Sequence, residues 1–193
     1  MGTDVAEDVP SIRTPRLELV AMSIPFMQAL VARDLATAHD EVDAHIPADL
    51  PDELADFLQY RLGQLSVDPS IRQWLGRLMV LTEPGGGRRV IGTIGFHGPP
   101  DEQGRVEIGY RVQAEFRRQG YARECVLAMF EWAHREHGIR RFVASVSPTN
   151  EASLGLVAGF GFTQTGSHMD PIDGLELVLE ADWPSPTGAA TPG

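Results

Sequence analysis

Polar and apolar side chains alternate across Arg16-Leu17-Glu18-Leu19-Val20, which predicts a first strand. From Met22 to Ala38 the period changes. Phe26, Leu30, Val31 and Leu35 recur at helical spacing, and Pro25 suits a first helical turn. A second helix is predicted beyond Pro51, where Leu54, Phe57, Leu58, Leu62 and Leu65 follow the acidic pair Asp52-Glu53. Three strands come next, over residues 78–82, 90–97 and 105–112. Residues 84–87 are the hairpin turn between the first two, and Gly98-Pro99-Pro100 closes the second. In the third, Val106, Ile108 and Tyr110 share one face and Glu107 takes the other.

Past Gly120 the period is helical again, with Ala122, Val126, Met129, Phe130 and Ala133 on one side and Gly138 as the stop. Residues 140–146 read as a strand. Asn150 caps a further helix that runs to about Gly159, and strands at 162–165 and 175–179 complete the set. This order predicts a mixed α/β fold, with a mostly antiparallel central sheet flanked by helices. The unit at 105–146 is expected to be a right-handed parallel crossover. Residues 1–12 read as a flexible acidic leader, 13–183 as one domain, and 184–193, with three prolines, as a disordered tail.

Composition narrows the function. The 193 residues suffice for one core, and 16 Lys and Arg stand against 27 Asp and Glu, a net charge of −11. Such a surface repels phosphate backbones, so no nucleic-acid partner is expected. A single cysteine, Cys125, excludes an internal disulfide. The chain has no apolar run of membrane-spanning length, and it opens with Asp4, Glu7 and Asp8 instead of a basic and then apolar leader. A cytoplasmic protein without a membrane segment is the expectation.

A basic spot with chemical interest lies in this acidic chain. Arg117-Arg118-Gln119-Gly120-Tyr121-Ala122 lies between a predicted strand and a predicted helix. Amides at a helix start have no partner within the helix and suit an anion. Gly120 admits close approach and Ala122 keeps the first turn slim, an arrangement that fits a pyrophosphate. The same residues also describe a plain surface turn with two solvated arginines.

The segment fits the acetyl-CoA motif of the Gcn5-related N-acetyltransferases: Gln or Arg, two residues, Gly, one residue, then Gly or Ala. Three further stretches resemble that superfamily. Thr14-Pro15-Arg16-Leu17-Glu18-Leu19 and Glu107-Ile108-Gly109-Tyr110 are similar to its branch that acetylates ribosomal-protein and other protein N-termini, and Asn150-Glu151-Ala152-Ser153 with Gly161-Phe162 to its last helix. The resemblance covers about residues 13–180 and implies an acyl-CoA N-acyltransferase fold with acetyl-CoA as co-substrate and no metal. It implies that Arg117, Arg118, Gln119, Gly120, Tyr121 and Ala122 hold the CoA pyrophosphate. Strands 105–112 and 141–146 would splay to admit the pantetheine arm. Ile108, Asn150 and Ser153 would contact the cofactor. A bulge in strand 105–112 would free an amide for the thioester carbonyl.

Direct transfer needs an amine that loses a proton before or during attack, and a carboxylate can take it. Glu107 is the candidate, on the strand expected beside the cofactor; a structural carboxylate paired with an arginine is the other reading. The superfamily's tyrosine after the last helix's Asn is missing, since residues 154–162 contain none. His97 could help deprotonate an amine or be a turn residue, and Tyr110 could face the cleft or the core. His134 and His137 lie three apart on a helix without an evident third ligand, and Cys125 falls in an apolar pattern that favours a buried thiol. The stretch from about 38 to 74 carries Asp40, Glu41, Asp43, Asp49, Asp52, Glu53 and Asp56, which would draw a cationic acceptor or simply solvate a surface. The predicted function is acetyl transfer from acetyl-CoA to a primary amine on a small molecule or protein N-terminus. The alternative is an inactive CoA-binding regulatory or structural module. A homodimer is compatible with this fold.

Overall fold

An eight-stranded sheet runs through the protein in the order β1-β2-β3-β4-β5-β6-β8-β7. The structure, a computed structural model, describes residues 9–171 and 174–184. Residues 1–8 of the expected leader and 185–193 of the expected tail lie outside the described residues. In chain order the elements are β1 (Ile12–Arg13), β2 (Leu17–Ala21), α1 (Ile24–Val31), α2 (Leu35–Val42), α3 (Leu50–Val67) and β3 (Arg77–Thr82). Next come β4 (Arg88–Phe96), β5 (Arg105–Val112), α4 (Tyr121–His137), β6 (Arg141–Val146), α5 (Glu151–Ala158), β7 (Thr163–Asp170) and β8 (Gly174–Asp182). Short 3-10 turns occupy Pro69–Trp74 and Ala114–Phe116. Every neighbouring pair of strands is antiparallel except β5 and β6. The predicted mixed, mostly antiparallel sheet is therefore the observed one.

Alternation along the strands sends side chains to two separate cores. Met79 joins Ile94, Phe96, Val106 and Ile108 under α4 and α5. Its neighbours Leu78 and Val80 join Phe26, Leu30, Leu54 and Leu58 under α1 to α3. On the α4 side Phe130 stacks on Phe142 with ring centroids 4.0 Å apart. Each fully buried side chain of this size stabilises the fold by about 1.5–3 kcal/mol.

The helix expected over 22–38 is two helices. Arg33 has φ 60, and Asp34 starts α2 by accepting from the Thr37 amide and hydroxyl. A short polar side chain offers the backbone this alternative bond, so the apolar period continues across a break. The first strand also has an unpredicted partner: β1 pairs Ile12 with Leu19, inside the stretch read as leader. Arg77, fully buried at the start of β3, holds this segment through its Nη1 bond to the Pro10 carbonyl at 2.9 Å. Its guanidinium lies over Trp132, and burial, with Arg72 adding, lowers its pKa to about 10. It stays charged at neutral pH.

Candidate active site

The turn before α4 is built for close approach. Gly120 is the N-cap at φ +82, a conformation L side chains rarely adopt, and no side chain caps the helix there. The first-turn amides of α4 are thus left for a guest. Arg16, from the Thr14–Leu19 stretch, braces the turn from below. Its Nη1 donates to the Gln119 carbonyl at 2.9 Å, its Nε to Glu124 at 2.6 Å, and its guanidinium covers the Tyr121 ring at 4.3 Å. Thr14 donates to the same Glu124. Burial pushes the Glu124 carboxyl up, but Thr14 and Arg16 outweigh it and hold it below its ordinary value. Arg117 is turned inward, with Nε on the Val112 carbonyl at 2.8 Å, and Gln119 Nε2 donates to the Glu115 carbonyl. Arg118 adopts φ 61 beside them, and Ala122 lies in the slim first turn.

A gap opens next to this turn. β5 and β6 pair only at Arg105↔Arg141, Val106↔Phe142 and Glu107↔Val143. Beyond that, β5 follows β4 as far as Gly92↔Val112 while β6 follows β8. Ile108 is the first residue past the last shared pair; its side chain is buried in the core under α4. The expected bulge in β5 is not there. The β4–β5 ladder keeps register, and the shift falls between β3 and β4, where Met79↔Gly92 is followed by Val80↔Val90. Splaying, not a bulge, is what separates β5 from its neighbour.

α5 closes one side of the gap. Asn150 caps it, its Oδ1 accepting from the Ser153 amide at 3.1 Å, which leaves its own amide group to donate elsewhere. Tyr110, on the α4–α5 face of β5, has a buried hydroxyl beside Ser153 that makes no hydrogen bond of normal geometry. Burial raises the phenol, with Ser153 pulling the other way, so it remains protonated at neutral pH. Val157 is buried within the stretch that lacks a tyrosine.

The opposite face of β5 carries Glu107. Burial pushes its carboxyl up, but the His97 ring and the Ser145 hydroxyl beside it, with the charges of His97 and His168, hold it below its ordinary value. His97 Nδ1 lies 3.4 Å from Glu107 Oε1. α3 borders this face. Arg61, 5% exposed, donates from Nη1 to the His97 carbonyl at 2.8 Å, and Glu53 pairs with Arg111 of β5 at 3.1 Å. The β7–β8 hairpin adds His168, whose Nε2 is 3.5 Å from Glu176 Oε2. Glu107 and His97 are legible in the sequence as candidates for this site, and Arg61 and His168 are not. These come from a helix and a hairpin far away in sequence, and no local pattern marks them.

Other candidates have ordinary places. Cys125 is buried, and burial chiefly raises its thiol to about 12, which suits a packing role. His134 Nδ1 meets the Ile139 carbonyl, and His137 packs between Trp74 and Trp132. Several acids expected to line an acceptor wall are already engaged: Asp52 by Arg33, Asp43 by Arg88, Glu53 by Arg111 and Glu41 by Ser23. Among the described residues, His168, Asp170 and Glu176 bring potential metal-ligand atoms within 4.8 Å of one another. No described helix is long and apolar enough to cross a membrane.

The chain is similar to known proteins. Over 79 residues the chain is 37% identical to the uncharacterized N-acetyltransferase YoaA of Bacillus subtilis, covering 41% of this chain and 45% of that one. It is 33% identical over 69 residues to the FsC-acetyl coenzyme A-N(2)-transacetylase of Aspergillus fumigatus, covering 36% and 29%. The matched stretch thus spans less than half the length of these relatives. Among solved structures, the ribosomal-protein-S5-alanine acetyltransferase of Vibrio fischeri superposes with a TM-score of 0.59 at 15% identity over 90% of this chain and 96% of that one. RimL, a ribosomal L7/L12 alpha-N-protein acetyltransferase solved with coenzyme A, superposes at 0.60 and 18% over 90% and 98%. Likeness at this identity speaks for the fold alone. The profile of the acetyltransferase (GNAT) domain matches residues 16–163, from the arginine that braces the turn through α5 to the start of β7, and the chain belongs to that family.

Proposed function

We propose that this chain is an N-acetyltransferase that moves the acetyl group of acetyl-CoA to a primary amine by direct attack in a ternary complex. The observation that carries the reading is the parting of β5 from β6 after Glu107↔Val143 beside an open helix N-terminus. A pyrophosphate at residues 117–122 and a pantetheine arm between the strands would occupy these two features together, the arm using backbone groups that a neighbouring strand would otherwise take. Ile108, Asn150 and Ser153 are the contacts we assign along the arm. The thioester would then lie between the two faces of β5, with Glu107 and His97 on the amine side and Tyr110 on the side of α5.

Tyr110 answers for the missing tyrosine in this reading. Its buried, protonated hydroxyl beside Ser153 can protonate the leaving CoA sulfur. The acceptor is a primary amine, on a protein N-terminus or a cationic small molecule. The branch resembled in sequence favours the first, and the carboxylates of Glu107 and Glu176 near the amine side suit either. No step requires a metal, and the reading places the protein in the cytoplasm.

The test is release of free CoA thiol from acetyl-CoA in the presence of short peptides with free N-termini, spermidine or an aminoglycoside. Amine-dependent release is expected. Tight acetyl-CoA binding with no release for any amine would instead favour an inactive CoA-binding module.

A further inference from the structure

We infer that His97 is the base that takes the acceptor's proton, and that Glu107 acts through it as a positioning residue. The inference rests on the acetyl-transfer reading above. Both side chains lie on the amine face of the β4–β5 ladder, where the His97 amide bonds the Glu107 carbonyl at 2.9 Å. His97 Nδ1 faces Glu107 Oε1 at 3.4 Å. The other ring nitrogen is placed by a glycine: a Cβ on Gly109 would stand 2.8 Å from His97 Nε2. Nε2 therefore lies over bare backbone, two residues beyond the last β5–β6 pair, at the mouth of the gap. The His97 side chain is 54% exposed and that of Glu107 31%, so the ring stands outward and the carboxylate behind it. Arg61 fixes the end of β4 by its bond to the His97 carbonyl.

The chemistry follows this order. A carboxylate held below its ordinary value is a weak base towards an ammonium group, whereas imidazole ordinarily ionises nearest neutral pH of all side chains. One nitrogen held by a carboxylate leaves the other to receive the proton, and the carboxylate then stabilises the cation formed. The charged groups facing the pair are Arg61 of α3, His168 and Glu176 of the β7–β8 hairpin, and, farther along β5, Arg111 with its partner Glu53. In the step itself, the amine nitrogen bonds to the thioester carbon as its proton passes to Nε2. The C–S bond then breaks, the sulfur takes a proton from Tyr110, and exchange with water returns His97 and Tyr110 to their starting states. The Gly109 of the Glu107–Tyr110 motif thus has a function of its own: it makes room for the ring.

The test compares CoA release by wild type, His97→Ala, Glu107→Gln and Gly109→Ala, with the peptide, spermidine and aminoglycoside acceptors named above, with and without added imidazole. His97→Ala should lose about 100-fold or more in kcat with acetyl-CoA affinity kept. Imidazole should restore part of that loss, more so for more basic substituted imidazoles. Glu107→Gln should lose about tenfold and gain nothing from imidazole. Gly109→Ala, which pushes the ring aside while its far end is free to move, should lose activity between these two. His97→Ala within threefold of wild type, or no rescue of it by imidazole, would overturn the inference while leaving the acetyl-transfer reading in place. No release by wild type on any of these amines would overturn both.

Discussion

The two sides of β5 are assembled in different ways. On the side of α4 and α5, the candidate cofactor groups come, Ile108 of β5 aside, from two short contiguous stretches, residues 117–122 and 150–153, each at the start of a helix. On the amine side, His97 directly follows β4, Glu107 lies in β5, Arg61 comes from α3 and His168 from a hairpin near the other end of the chain. A helix N-terminus can offer an anion site from local backbone alone. A proton-transfer site needs side chains at set distances, which only the tertiary fold can supply.

The sharpest way to break this comparison is a pair of variants with opposite signatures. Arg16→Ala removes the brace under Gln119 and Glu124, and should weaken acetyl-CoA binding about tenfold while kcat at saturating acetyl-CoA stays within twofold. Glu107→Gln should do the reverse, with affinity within twofold and kcat down about tenfold, as steady-state kinetics beside calorimetry would read. If both variants changed the same parameter, the two sides would not be separable. Next in size is Tyr110→Phe, which keeps the ring and removes the unpartnered hydroxyl. A kcat loss of severalfold with unchanged folding is expected, and a rate equal to wild type would remove Tyr110 from the reaction.

Smaller effects concern stability. Asn150→Ala removes the cap of α5 and should cost about 1 kcal/mol in denaturant unfolding. Acid titration should show the smallest. Burial pushes Glu107 and Glu124 up, yet their partners hold both below the ordinary carboxylate value. A carboxyl with a lowered folded-state pKa contributes stability that is complete above the unfolded value, and it is lost as pH falls through the folded value. Unfolding free energy should therefore be level near neutral pH and fall in the acid range, with a shallower fall in Glu124→Gln. An unchanged slope would mean that the Thr14–Arg16–Glu124 brace carries no net ionic stabilisation.

The parts of the molecule legible in the sequence are those set by local backbone chemistry. Gly120 and Gly138 bound α4, Asn150 starts α5, and Pro51 lies in the first turn of α3, all as the residue types predict. The misread elements have equally local reasons. Asp34 caps a second helix inside an unbroken apolar period. β1 is two residues long, too short to show alternation. β7 is largely exposed along its length, so only its start was read, and His168 went unseen with the rest. Glu107 was legible through strand alternation. Its pairing with His97 was not, because that depends on the β4–β5 register and on a missing Cβ at Gly109.

The central claim is that acetyl-CoA is held at the 117–122 turn. Calorimetric titration of the protein with acetyl-CoA, beside Gly120→Glu, tests it most directly, because that substitution strains the backbone at φ +82, sets a side chain against Arg16 and adds a negative charge at the turn. Saturable binding by wild type that falls at least 100-fold in a folded Gly120→Glu variant is the predicted result. Equal binding by both, or none by wild type, would contradict it.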